Sequence, residues 1–389
     1  MLLACGLLVL AAFAVSASAT GITWRLSTRL GVTDTAALGG QIKEAARPVP
    51  NTGGIGIFLG IVIPIAAGLI AAGLVPDDGS GPLAGVAEHA GGVAEKLPLA
   101  LGLLGSLLGL HLLGLIDDRI PLGPKLKLVI MFTPAVLFPA LTETRLLTML
   151  DAQVGGTWLS VVITAVWIVA VTNAMNLIDN MDGACAGVAA VASACFAAAA
   201  VVSEQWFVAA TLAVLVGSCL GFLVWNRPPA RIFMGDGGSL VIGFLLAFLT
   251  VRTTYAGAGP TGEPLAGGWY GVFMPLLVLA VPLYDMTTVT LIRLRQGRSP
   301  FVGDLQHVSH RLVKRGLSKR AAVVVMCGLT AVTGIGGVVL GNLEPWQAVL
   351  VGVQAILILV VVALLEWKSS PPGARHDSLE TGTERLDVD

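Results

Sequence analysis

Residues 222–244 read FLVWNRPPARIFMGDGGSLVIGF, between two apolar runs at 209–224 and 240–251. A short basic loop with Arg227 and Arg231 leads into Gly235-Asp236-Gly237-Gly238-Ser239, and the chain then turns apolar again. An Asp at the centre of a membrane helix costs roughly 2.5–3.5 kcal/mol, so a carboxylate at a helix mouth needs a reason. The flanking glycines let backbone N–H groups approach a ligand closely. A helix starting near Gly237 aims its positive end at that ligand. The competing reading is a tight turn between two spans.

The rest of the chain supports a membrane setting. Of its 389 residues 55% are apolar and only 12% charged, and mean hydropathy is +0.86. Soluble domains carry about 25% charged residues. The net charge of −1 makes no case for nucleic-acid binding. The cysteines (Cys5, Cys185, Cys195, Cys219, Cys327) lie in apolar runs without paired spacing, which suggests neither disulfides nor zinc.

A span needs about 20 apolar residues. The pattern predicts an all-α integral membrane protein, a bundle of about eleven transmembrane helices near 1–20, 54–75, 97–116, 126–142, 158–176, 184–202, 206–225, 239–252, 270–291, 321–341 and 345–366. Residues 1–20 resemble a signal peptide but lack a positive start, and are read as a first span with the N-terminus outside. The C-terminus is then cytoplasmic. Of 23 lysines and arginines, all but Lys96, Arg145 and Arg252 fall on the cytoplasmic side, as the positive-inside rule requires. Residues 1–366 form one transmembrane domain with inside loops at 40–54, 117–127, 177–183, 226–238 and 292–320; the polar tail 367–389 is expected to be disordered.

Unusual polar residues collect in the inside loops. Residues 114–119 read GLIDDR, followed by Lys125 and Lys127. Adjacent residues on a helix point about 100° apart, so Asp117 and Asp118 serve different partners. One faces a reacting group or metal, and the other a cation such as Lys127 or Arg119. His111 shares a face with Asp118 by its spacing of seven. Residues 172–183 read TNAMNLIDNMDG; Asn173, Asn176 and Asn180 share one helical face and Asp179 follows Asn176 by three. Such a face suits a site that reads a polar ligand, or oxygen donors for a metal. In the long loop, Asp304, His307 and His310 make either a metal set or, with Arg311, a grip on phosphate or sugar hydroxyls. Carboxylates from several loops suit a hard cation such as Mg²⁺, and the basic residues beside them a phosphorylated substrate. The residues alone indicate metal-dependent phosphoryl chemistry at the inner membrane surface.

These clusters, in this order, resemble the polyprenyl-phosphate N-acetylhexosamine-1-phosphate transferases, relatives of the enzyme that makes the first lipid intermediate of peptidoglycan. Residues 173–187 are similar to the family's NAxNLIDGLDGLAxG, and 226–239 to NxxPAxIFMGDSGS. Residues 114–118 with Lys127 resemble GLxDD…KL, and Arg47 to Gly54 resemble KPxPxxGG. The resemblance implies a bundle of about ten or eleven transmembrane helices. It implies transfer of N-acetylhexosamine-1-phosphate, GlcNAc-1-phosphate above all, from a UDP-sugar to polyprenyl (undecaprenyl) phosphate with release of UMP. Mg²⁺ is the implied cofactor, with Mn²⁺ as the alternative ion. The implied setting is a multi-pass protein of a bacterial-type inner membrane among membrane lipids, with a cytoplasmic active site and a homodimer as candidate assembly.

Residue by residue, the resemblance makes Asp236 the Mg²⁺ ligand and Asn176 a second one. Asp117 would act as base or handle the lipid phosphate or metal; Asp118 and Lys127 would position phosphates. Arg47, Asn173, Asp179, Asn180 and Asp182 would bind the nucleotide. Asp304, His307, His310 and Arg311 would read sugar and pyrophosphate. The chain departs from the family pattern at Ser309 for histidine, Gly237 for serine, Met286 for threonine and Ala45 for histidine. Within the family the alternative is transfer of phospho-MurNAc-pentapeptide. Outside it, the rival is a transporter of a lipid-linked substrate, which predicts ionisable residues near the bilayer midplane.

Overall fold

The computed structural model describes residues 1–32, 49–74, 84–142, 144–255, 273–301, 303–340 and 343–367. Arg47, Ala45, most of the 40–54 loop and the tail from 368 lie outside the described residues. Among the described residues there are helices and turns but no strand. In chain order the helices are α1 (Leu2–Arg29), α2 (Gly54–Gly73), α3 (Ala84–Asp117), α4 (Pro124–Thr142), the single turn α5 (Asp151–Val154), α6 (Trp158–Ile178), α7 (Ala184–Val202), α8 (Trp206–Asn226), α9 (Asp236–Tyr255), α10 (Met274–Val278), α11 (Ala280–Arg295), α12 (Val308–Lys314), α13 (Lys319–Leu340) and α14 (Pro345–Trp367).

Ten of these are long and apolar enough to cross a membrane. The span expected at 270–291 is two helices, α10 and α11, broken at Leu279. Pro282 has no N–H to bond the carbonyl four residues back, so the ladder fails there. Counted as one broken span, it completes the predicted eleven. Two boundaries also differ. α1 runs on to Arg29, past the end expected near residue 20, and Ser16 and Ser27 within it find partners in Ser218 O at 2.8 Å and Thr52 at 2.7 Å. α9 begins at Asp236 itself rather than at 239.

α9 is the central helix. Of Asp236–Thr253, 89% is buried inside the protein, against 11% for the best windows of α1 and α14. α3 and α6 pack along it, and α2 meets its start. Lipid tails are as apolar as leucine, so close helix approach rather than water exclusion drives this association, and small residues mark the crossings. A Cβ on Gly243 would stand 2.7 Å from Thr172 Cα of α6. Trp167 Nε1 donates to Thr250 Oγ1 at 2.9 Å, which pins the far halves of α6 and α9 together.

Successive spans reverse direction, so one end of the bundle gathers the ends of α1, α3, α6, α8 and α11 with the starts of α2, α4, α7, α9 and α13. Those are the segments in which the polar clusters lie. The charge asymmetry predicts that this end faces the cytoplasm. In a chain with its five cysteines replaced, a cysteine at exposed Gly297 should be shielded from an impermeant thiol reagent in intact cells. One at exposed Gly92, at the other end of the bundle, should label. Labelling of Gly297→Cys from outside would reverse the topology.

Candidate active site at one end of the bundle

The start of α9 is built into its place by backbone. Phe233 N donates to Pro50 O at 2.7 Å, Gly53 N to Phe233 O at 2.9 Å and Gly54 N to Met234 O at 2.8 Å, so the 50–54 strap and the 233–234 strap run side by side. Gly235 has φ +67°, a conformation that glycine adopts without strain. A Cβ there would lie 2.5 Å from Asp118 Oδ2 and 2.6 Å from Asn51 O. Gly54 and Gly114 press on the next residues. Their Cβ atoms would stand 2.4 Å from Gly238 N and 2.3 Å from Gly237 N. Only glycines admit α2 and α3 so near the first turn of α9.

That turn carries Asp236. Its Oδ1 accepts from Asn176 Nδ2 at 2.8 Å, and its Oδ2 pairs with Lys127. Asn176 Nδ2 is also 2.8 Å from Ser239 Oγ, one turn along α9. Lys127 Nζ is 3.1 Å from Asp117 Oδ2, and Asp117 Oδ1 accepts from Leu122 N at 2.8 Å. Thus the ends of α3 and α6 and the starts of α4 and α9 meet at one ammonium and one carboxylate. The two aspartates at the end of α3 do serve different partners, as their 100° offset requires. Asp117 holds Lys127, whereas Asp118 accepts from the first N–H groups of α9, Asp236 N at 3.1 Å and Gly237 N at 3.4 Å. Asp118 therefore caps the very helix that presents Asp236, satisfying N–H groups that have no partner inside a helix. Burial first, and the Asp236 charge second, push its carboxyl up to about 7, against the pull of those N–H groups and of Lys127.

His111 lies behind the cleft. Its Nδ1 is 2.8 Å from Gly237 O and its ring stacks on Phe58 at 4.3 Å. It ties α3 to the α9 turn from inside.

The three asparagines predicted on one helical face part company, and Asn180 falls in the turn past the end of α6 at Ile178. Asn176 reaches Asp236, Asn173 Nδ2 turns back to Val169 O at 2.8 Å, and Asn180 Nδ2 turns back to Leu177 O at 2.7 Å. The Oδ1 of Asn180 accepts from Ser309 Oγ, so the residue that departs from the family histidine docks the long loop onto the α6–α7 turn. Asp179 borders the cleft. Burial first, and then the charges of Asp236, Asp118 and Asp182, raise its carboxyl well above the ordinary range. Asp182 is buried and its Oδ2 accepts from Ala230 N at 2.9 Å. Beside it, Asn226 accepts from Gly183 N and donates to Ile232 O, both at 2.8 Å. Asp182 and Asn226 thus join the loops after α6 and α8.

The long loop is held by charges within the described residues. Arg293, 1% exposed, clamps Asp304 with Nε and Nη2, both at 3.1 Å. Burial alone would raise the Asp304 carboxyl; this guanidinium and Gln306 N outweigh it and hold it below its usual value. His307 Nδ1 is 2.7 Å from Asp285 Oδ2, and Asp285 Oδ1 accepts Val308 N at 2.7 Å, capping α12. His310 is buried, with its ring 6.5 Å from that of His307. Arg311 pairs with Glu366 at 3.0 Å. Asp304 and His307 therefore stand on the loop and His310 and Arg311 on α12, and Asp304, His307 and Arg311 all face protein charges.

Asp285, Arg293, Ser239, Asn226 and Glu366 were not singled out as site residues from the sequence. Asp285 and Glu366 had a signal: each is a carboxylate inside or at the end of an apolar run, where an unpaired charge is expensive.

The donor set fits a hard dication. Asp117 and Asp236 share the Lys127 ammonium, the charges of Asp118 and Asp179 act on the Asp236 carboxylate, and the oxygen donors come from carboxylates and an amide. Among the described residues no three acidic, histidine or cysteine side chains already converge as a metal cage. Mg²⁺ characteristically takes one or two carboxylates and completes its shell with water and substrate phosphate. Asp236, with Asn176 beside it, is placed to supply such a partial shell.

Residues 100–254 match the family described as glycosyl transferase family 4. The chain is 27% identical over 357 residues, 88% of its length and 87% of the relative's, to a probable undecaprenyl-phosphate N-acetylglucosaminyl 1-phosphate transferase of Bacillus subtilis. It is 30% identical over 350 residues, 85% of this chain and 81% of the relative, to a decaprenyl-phosphate N-acetylglucosaminephosphotransferase of Mycolicibacterium smegmatis. A third relative, the undecaprenyl-phosphate alpha-N-acetylglucosaminyl 1-phosphate transferase of Escherichia coli K12, is 28% identical over 272 residues, 65% of this chain and 69% of that one.

Proposed function

We propose that this chain, which belongs to glycosyl transferase family 4, transfers GlcNAc-1-phosphate from UDP-GlcNAc to undecaprenyl phosphate and releases UMP. The observation that carries the reading is the meeting of Asp236, Asn176, Lys127 and Asp117 at one end of a membrane bundle. An acceptor anchored by an apolar tail and a soluble donor meet only at such an end, and the relatives are named for a polyprenyl-phosphate acceptor, undecaprenyl in two and decaprenyl in the third, and for this group.

In the reaction a phosphate oxygen of the lipid attacks the β-phosphorus of the UDP-sugar. A new P–O bond forms, the bond to the bridging oxygen breaks, and UMP leaves with that electron pair. Negative charge accumulates, so catalysis is chiefly positioning and electrostatics. Mg²⁺, when bound, offsets the charge of the pyrophosphate. Asp236 and Asn176 would hold it. Among the described residues Lys127 supplies the cationic side chain at this point, and Asp117 keeps its ammonium aimed into the cleft. Asp118 acts indirectly by capping α9. Asp179, Asn180 and Asp182 form the wall for the nucleotide, and His307 and His310 stand on the loop that Ser309 docks beside that wall.

Purified protein incubated with undecaprenyl phosphate, Mg²⁺ and a panel of UDP-sugars should release UMP with UDP-GlcNAc at least about tenfold faster than with UDP-MurNAc-pentapeptide. Preference for the pentapeptide donor would move the chain to the other branch. Release of UMP with none would remove the transferase reading.

A further inference from the structure

α14 is an outlying helix that packs on α13 and exposes most of its surface. Its sequence contains one ionisable side chain, Glu366, in the last turn. That side chain is turned inward and only 9% exposed. Its Oε2 accepts from Tyr284 Oη at 2.9 Å and faces Arg311 Nη2 at 3.0 Å. A carboxylate withdrawn from water this far is costly unless it is paired, so Arg311 is what makes the arrangement tenable.

Arg311 is a junction. Besides Glu366, its Nη2 donates to Thr288 Oγ1 at 3.1 Å and its Nη1 to Gln306 O at 2.6 Å. Gln306 immediately precedes His307, and Thr288 stands one turn of α11 beyond Asp285, the residue that holds the His307 ring. The guanidinium therefore ties α14, α11 and the loop backbone together at the point where the loop enters α12. Two residues back along α12, Ser309 is bonded to Asn180 at the cleft. Polar contacts joined through the first turn of α12 thus run from the end of α14 to the edge of the active site.

We infer that Glu366 is a positioning residue for the active-site loop. Through Arg311 it sets where His307, His310 and Ser309 stand over the cleft, and it couples α14, otherwise a peripheral helix, to the use of the sugar nucleotide. Without its carboxylate, the guanidinium is left half-buried and uncompensated, and the loop entry loses its anchor. The kinetic part of this inference rests on the proposed function; the anchoring part does not.

The experiment compares the full chain with Glu366→Ala, Glu366→Gln and Tyr284→Phe, by amide hydrogen exchange and by kinetics varied separately in UDP-GlcNAc and undecaprenyl phosphate. Glu366→Ala should speed exchange across 303–316 by about tenfold or more and leave α9 unchanged. It should raise KM for UDP-GlcNAc about 5- to 20-fold and move KM for the lipid less than about twofold. Glu366→Gln keeps the volume and the Tyr284 contact and should fall between; Tyr284→Phe should show about a twofold rise in the same KM. If Glu366→Ala fails to insert, the Gln variant decides by the same readouts. Unchanged loop exchange in the Glu366 variants, or equal losses in both KM values, would overturn the inference. A wild type that turns over no UDP-sugar would sink the proposed function, while the exchange data would still decide whether Glu366 holds the loop.

Discussion

Asp236→Asn should lower kcat by about a thousandfold or more, equivalent to roughly 4 kcal/mol of lost transition-state stabilisation, while the protein still inserts and folds. The carboxylate takes part in two contacts with donors, Asn176 Nδ2 on one oxygen and Lys127 on the other. An amide has one acceptor oxygen. Whichever way it turns, its NH₂ faces either the Lys127 ammonium or the Asn176 NH₂, and one contact becomes a donor–donor clash. The change also removes the negative charge that would hold a divalent ion at the start of α9. Yet the burial of α9 is otherwise untouched, because the rest of its buried face is close-packed and, apart from Ser239, Thr250 and Thr253, apolar. The check is UMP release by the purified variant, with its elution and thermal midpoint compared to wild type. Near-normal Mg²⁺-dependent turnover would move the metal elsewhere, with Asp117 as the next ligand to test.

Gly114→Ala should be nearly as damaging, though it removes no polar group. Its Cβ would sit 2.3 Å from Gly237 N and 2.4 Å from Asp236 C. Both are backbone atoms in the first turn of the most buried helix, so no side chain can swing aside. α3 must back away from α9 by a sizeable fraction of an ångström or more. Small-to-large changes in packed interiors usually cost about 1–3 kcal/mol, and this one lies at the upper end because backbone meets backbone. The displacement also pulls Asp118 off Asp236 N, where the bond is 3.1 Å long, and shifts Asp117 relative to Lys127. The expected result is a loss of kcat of about a hundredfold or more, since misplacement near an ångström costs on that order, together with a lower thermal midpoint. Gly109→Ala is the matched control. It lies on the same helix, and its Cβ would meet nothing within 4 Å, so activity and midpoint should both hold. Wild-type behaviour of Gly114→Ala would mean that the close crossing of α3 on α9 does not occur in the working enzyme.

The membrane class, the number of spans and the gathering of polar chemistry at one end were legible in the chain without coordinates. These are one-dimensional properties: a run of about 20 apolar residues must span, and each span reverses the chain. A carboxylate or amide at the edge of such a run stands out for the same energetic reason. Partner choice was not legible, because helical periodicity reports a face and not what lies opposite. Asn173, Asn176 and Asn180 share a face by spacing, but only Asn176 lies against α9; the other two bond back to their own backbone. Asp117 and Asp118 look alike in sequence, and their separate tasks depend on where α4 and the α9 N-terminus come to rest. Arg311 reads as a ligand-facing cation in a basic loop, yet its counter-charge is Glu366 on another helix. Side-chain pairing across helices is decided by how closely the backbones approach, and here glycines at 54, 114 and 243 decide that, each against a surface brought from elsewhere in the chain.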